Sequence, residues 1–179
     1  GGIPNSVGAI AVFSSSSTSG NSALIDLPGP ITVGVMNFTS TGDFGYGFVN
    51  GNFIFNNGAV AAELNVNVTA VSNPISFSLP ITLASNLVVT VVVAGSDVVF
   101  SGAVSGSGSL TLAGDGILRL TGANTFNGGI AIQGGILEAN ADAALGSGQV
   151  SLANNGAFRS AGTINQTFNT ILPNPDRKS

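Results

Sequence analysis

The chain has 179 residues, of which 44% are hydrophobic and only 7% charged, against roughly a quarter charged in ordinary soluble domains. Its net charge is -4, all four cations (Arg119, Arg159, Arg177 and Lys178) lie beyond residue 118, and it contains neither Cys nor His. That balance excludes nucleic-acid binding and electrostatic docking on anionic lipid, and it removes disulfides, imidazole or thiolate metal sites, and Ser/His or Cys/His nucleophilic dyads.

Taken in order, short bursts of apolar residues alternating with polar ones occupy 9–13, 23–27, 31–38, 52–55, 60–71, 75–79, 81–83, 87–94, 98–104, 109–112, 117–121, 129–133, 136–139, 149–152 and 157–160. Each is bounded by Gly, Pro, Asn or Ser, and none shows a helical period, so the alternation predicts an all-β chain of short strands and tight turns. Residues 139–146, ANADAALG, allow one helical turn ending at Gly146. The longest apolar burst, 87–94, is far too short to cross a membrane as a helix, so no membrane insertion of this segment is expected. No signal peptide opens the chain at Gly1, so it reads as a mature product or an excised piece. The final residues 173–179, PNPDRKS, read as a linker or tail after a single domain over 1–172.

Regular short strands admit two architectures, an antiparallel β-sandwich and a parallel β-solenoid. The pairs Asn50-Gly51, Asn57-Gly58, Asp115-Gly116, Asn127-Gly128 and Asn155-Gly156 are hairpin-type turns and keep the sandwich open. The bursts SLTL, ILRL, IAIQ, ILEA and QVSL each place two apolar residues two apart, as positions stacked inward from coil to coil would be.

Residues 101–158 carry the most specific pattern. Gly106, Gly108, Leu110, Gly114, Gly116, Leu118, Leu120, Gly122, Asn124, Gly128, Gly129, Ile132, Gly135, Leu137, Ala144, Leu145, Gly146 and Gly148 form a frame that resembles the β-strand repeat of autotransporter passengers. Leu112, Phe126 and Ile130 depart from that pattern by being more apolar than the residues usual there. Residues 4–13, PNSVGAIAVF, and 31–38 resemble, less specifically, the opening of such a passenger unit. The resemblance implies a right-handed parallel β-helix displayed on or released from a bacterial surface, without the translocator barrel such proteins use. At roughly 20 residues per coil it implies about eight or nine coils, and at about 4.8 Å per coil a rod on the order of 40 Å long.

Candidate chemistry is sparse. Parallel β-helices include polysaccharide-cleaving enzymes, so Asp97, Asp115 and Glu138, spaced near one coil apart, are the acids to weigh, with Arg119 and Arg159 as the available cations. Solvated turn residues explain them better. Gly114-Asp115-Gly116 echoes half of a calcium-binding repeat, but one copy cannot supply six oxygens. Asn50, Asn52, Asn56, Asn57, Asn124, Asn127, Asn154 and Asn155 suit amide ladders or left-handed turns. Phe44, Tyr46, Phe48, Phe53 and Phe55 read as a packing seam, with an exposed sugar-stacking surface as the alternative. Sequons at Asn37, Asn67 and Asn165 carry little weight in a bacterial chain.

The sequence therefore assigns no catalytic, cofactor-binding or metal-ligating residue and calls for no cofactor. The expected function is that of a non-enzymatic structural or adhesive module outside the cell. The alternatives are a subunit of a self-assembling filament and a polysaccharide-binding or polysaccharide-cleaving β-helix. Expected partners are further copies of the chain, head-to-tail or lateral, and a host or matrix glycan. Free strand edges and the scarcity of charges favour self-association. Residues 87–94, the aromatic stretch and the extra apolar Leu112, Phe126 and Ile130 would supply the contacts.

Overall fold

The structure, a computed structural model, describes residues 4–15, 22–42, 45–69, 73–165 and 168–170. The tail at 173–179, with Asp176, Arg177 and Lys178, lies outside the described residues, as do Asp43 and Phe44.

Alternating apolar residues bury one strand face, and short glycine- and asparagine-rich corners turn the chain so that each strand lands on one a full coil earlier. The first coil carries β1 (Ile10–Ser15), β2 (Ser22–Asp26) and β3 (Pro30–Val33). The second carries β4 (Val35–Ser40), β5 (Gly45–Val49) and β6 (Asn52–Phe55). β7 (Ala62–Val68), β8 (Ile75–Phe77) and β9 (Ile81–Leu83) make the third, and β10 (Leu87–Val91), β11 (Asp97–Phe100) and β12 (Val104–Gly106) the fourth. The fifth coil has β13 (Leu110–Gly114) and β14 (Ile117–Leu120). In the next two, β15 (Ile130–Ala139) and β16 (Val150–Ser160) each run unbroken across two faces, and β17 (Phe168–Thr170) pairs beyond them.

Every pairing between these strands is parallel. The antiparallel contact described is the isolated bridge Asn57↔Val60. The chain is a parallel β-solenoid, and the antiparallel sandwich is excluded. Asn50-Gly51 shows why a hairpin-type dipeptide misleads. Both residues are left-handed (φ 58° and 56°), yet they turn the chain from β5 to β6 on a neighbouring face rather than back along the same sheet.

Several predicted segments are divided differently, among them 149–152 and 157–160, which run together as β16. Residues 31–38 bend at Gly34 into β3 and β4, a corner that passes so close to Gly8 that a Cβ would lie 2.6 Å from the Gly8 Cα. Residues 98–104 split into β11 and β12, and the bursts at 129–133 and 136–139 fuse into β15. The predicted helical turn is present as a 3-10 turn, Asp142–Leu145, stopped by Gly146 at φ 70°.

Coils are not uniform. Ile10 pairs with Val35 and Val35 with Glu63, repeats of 25 and 28 residues, whereas Leu110 pairs with Ile130 and Ile130 with Val150, repeats of 20. The first face thus stacks eight strands in seven coil-to-coil steps, a length of about 34 Å.

The core follows the same gradient. On the second face one inward column runs Ile25, Phe48, Phe77, Phe100, Leu120, Ala139, Ser160. Phe48 and Phe77 stack at 4.9 Å, Phe77 meets Phe100 edge-on at 5.3 Å, and on the first face Phe13 stacks on Phe38 at 4.8 Å. The long coils are filled by rings beside aliphatic side chains, while the short coils close mainly on Leu, Ile and Ala, with Phe126 as the one fully buried ring there among the described residues. Each fully buried Phe contributes about 2–3 kcal/mol.

The third face, built by β3, β6, β9 and β12, carries no strand in the fifth coil. There Asn124, only 6% exposed, replaces the ladder with its side chain. Its Oδ1 accepts the Val104 N–H at 2.8 Å, and its Nδ2 donates to the Ala144 carbonyl. One buried amide thereby ties together the fourth, fifth and sixth coils.

Candidate functional site

Charge is concentrated on one outer column. Arg119, Glu138 and Arg159 stand in register on successive coils of the second face. Arg119 Nε donates to Asp97 Oδ2 at 3.1 Å and its Nη1 to Glu138 Oε1, while Arg159 Nη1 donates to Glu138 Oε2 at 3.2 Å. Burial alone would lower the pKa of Arg119, but the charges and hydrogen bonds of Asp97 and Glu138 outweigh it and hold the guanidinium above its ordinary value. Arg119 and Arg159 are the only cations among the described residues, so the ladder occupies both.

The acids weighed from sequence are placed accordingly. Asp97 and Glu138 flank one guanidinium, and both Glu138 oxygens accept from arginine. Asp97 Oδ1 is buried without a hydrogen-bond partner. Asp115 stands apart, exposed in the turn between β13 and β14, with its backbone N–H donating to the Val91 carbonyl at 2.9 Å. No group of three or more His, Cys, Asp or Glu placed to hold a metal occurs among the described residues.

The aromatic stretch is core. Tyr46, Phe48, Phe53 and Phe55 are all at most 6% exposed, which overturns the sugar-stacking surface; Phe44 lies outside the described residues. Leu112, Phe126 and Ile130 also point inward, at 2% exposure or less, so they thicken the core and offer no contact surface. In 87–94, Leu87, Val89 and Val91 are fully buried in mid-rod between β7 and β13, leaving Val92 as the large exposed hydrophobe there. Of the asparagines singled out, Asn50 donates to Asp26 across one coil at 2.8 Å. The clearest amide ladder instead joins Asn65 to Asn37 at 3.0 Å, on an outer strand face where plain strand alternation gave no signal.

The corner between the first and second faces is the most elaborated part of the surface. From β1 to β2, β4 to β5, β7 to β8 and β10 to β11 the connections take 6, 4, 6 and 5 residues, whereas β13 to β14 takes 2 and β15 and β16 pass the corner without a break. At the base of the long corners lies a polar cleft of about 470 Å³, walled by Ser14, Thr39, Thr41 and Asn67 over Ser40 and Thr69. Ser14, Thr39 and Asn67 are register partners on three successive coils. Ser40 is fixed as the floor, because its Oγ donates to the Gly42 carbonyl at 3.0 Å and accepts the Gly42 N–H at 3.3 Å.

A parallel solenoid with a largely apolar interior, and with both described cations held in ion pairs, defines a rod-like β-repeat protein. The family model described as passenger-associated-transport-repeat matches residues 110–139. Over 156 residues, 86% of this chain, the sequence is 32% identical to the "Adhesin BmaC autotransporter" of Brucella suis biovar 1 (strain 1330). The chain carries the passenger-associated repeat within its β-solenoid, is similar to an autotransporter adhesin over most of its length, and spans about 4% of the length of that relative. No solved structure matches it. No helix among the described residues is long and apolar enough to cross a membrane.

Proposed function

We propose that this chain is a non-enzymatic adhesive segment of a surface-exposed or released passenger, in which stacked coils form a stiff shaft and the polar outer face makes the contacts. The observation that carries this reading is the division of labour around one coil. Inward columns are predominantly apolar, while the outward first face of the second and third coils offers Asn37, Thr39, Asn65 and Asn67, mostly uncharged hydrogen-bonding groups with Glu63 beside them. The adhesin named above supports it as a relative. In the test, beads coated with the purified chain are counted on cultured epithelial cells and on matrix-coated glass beside albumin-coated beads. Several-fold greater retention is expected, and retention equal to albumin overturns the reading. Incubation with neutral and acidic polysaccharides is expected to release no product, and turnover would overturn the non-enzymatic part.

A second reading, self-association, is favoured by the first coil. There β1 and β2 pair on one side only among the described residues, and Ile10, Val12 and Leu24 are 60%, 65% and 73% exposed.

A further inference from the structure

The cleft at the first corner singles itself out because the fold does not need it. β15 and β16 show that this solenoid turns the same corner with no inserted residue, so the long connections of the first four coils are additions to a frame that already closes, and the cleft lies beside those of the first three. Insertions gathered on one side of a repeat array mark its binding side. The described wall of the cleft is made of hydroxyls and one amide, with no charged and no aromatic side chain among the described residues.

We propose that this cleft is a binding subsite for uncharged oligosaccharide, an inference that rests on the adhesive reading above and names its ligand. Ser14, Thr39, Thr41 and Asn67 are exposed, and their side chains form no hydrogen bonds with other described residues. A hydroxyl gives one donor and two acceptors, and an amide gives both kinds from adjacent atoms, a set that pairs with neighbouring sugar hydroxyls. Parallel register repeats these groups about every 4.8 Å along the rod, so a chain of sugars lying along the axis meets a row of equivalent partners. Ser40 is buried and pinned by Gly42, and Thr69 Oγ1 donates to the Ser40 carbonyl at 3.5 Å, so the floor is set before any ligand arrives. Residues 1–118 contain acids and no cation, which disfavours sialylated or sulfated glycans. Among the described residues the wall also presents no aromatic or large apolar side chain on which a protein partner would anchor.

The test presents the whole chain to an array of neutral oligosaccharides beside sialylated and sulfated ones, followed by calorimetry on the best neutral binder. Binding confined to neutral glycans is expected. The double variant T39V/N67A should weaken it at least tenfold with unchanged melting, and T111V/Q133A, on the same face of the short coils, should leave it unchanged. If the double variant misfolds, T39V alone carries the test with a loss of about threefold. Absence of neutral-glycan binding, preference for acidic glycans, or equal losses in the two double variants overturns the proposal. Chain-coated beads that adhere while no glycan binds would sink this subsite and leave the adhesive reading standing, with a protein receptor as the partner.

Discussion

At the residue scale, the glycines of the passenger repeat act mostly through the space they leave. Gly108 lies under a corner of the preceding coil, where a Cβ would sit 2.1 Å from the Ser85 carbonyl oxygen, and Gly128 repeats the approach one coil on, 2.4 Å from the Gly108 carbonyl carbon. Neither needs a left-handed backbone, so the constraint is contact between main chains. Gly108→Ala must push two coils apart and should cost about 3 kcal/mol. Gly29 is the internal control, since a Cβ there meets nothing within 4 Å, and Gly29→Ala should change stability by less than about 0.5 kcal/mol. Urea unfolding of both variants measures the difference. Similar costs at the two positions would refute the close-approach explanation and leave chain flexibility as the cause.

At the element scale, strand positions were legible wherever apolar side chains alternate, because a solenoid coil buries every second residue of each strand. β5 was missed for the same reason turned round: in Gly45–Val49 the outward position between Tyr46 and Phe48 is Gly47, and glycine reads as punctuation. The charge ladder was also hidden. Its members lie 19 to 22 residues apart, which resolves into contacts only once the local coil is known to be about 20 residues, and the sequence spacing instead drew attention to Asp115. Burial within β5 has a measurable consequence. It raises the pKa of Tyr46 above its ordinary 10.0, so on alkalinisation the unfolded chain loses the phenolic proton first. The stability tied to neutral Tyr46 is therefore complete below the unfolded value and drains as pH rises through the folded one. With no Cys or His in the chain, melting temperature should be nearly flat from about pH 6 to 9 and fall above about pH 10. Tyr46→Phe should blunt that fall, and an identical alkaline limb in the variant would place its origin elsewhere.

At the scale of the whole molecule, the rod is asymmetric in width and in how its edges are protected. Its far coils narrow to Leu, Ala and Ser and bear the ion ladder, whereas its first coil exposes apolar residues on the outside as well as the inside. Residues 4–6 cover β3, where the Ser6 N–H donates to the Thr32 carbonyl and Asn5 Oδ1 accepts the Thr32 N–H at 2.8 Å, but nothing described covers β1 or β2. Below their edges opens an apolar cleft of about 220 Å³ lined by Ala11, Phe13, Ile25, Leu27, Ile31 and Met36. Native edges are blunted by Lys, Pro or bulges, and here Asp26 is the sole charge on β1 and β2. The 179-residue chain should therefore associate through its first coil, giving a sedimentation coefficient that rises with concentration. Ile10→Lys combined with Val12→Lys places charge beside the free edge and should return the chain to monomer. Val92→Lys, on a coil paired on both sides, should not. A concentration-independent monomer, or equal sensitivity to charge at Val92, would mean that the open edge does not drive association and that the rod's contacts lie along its polar side.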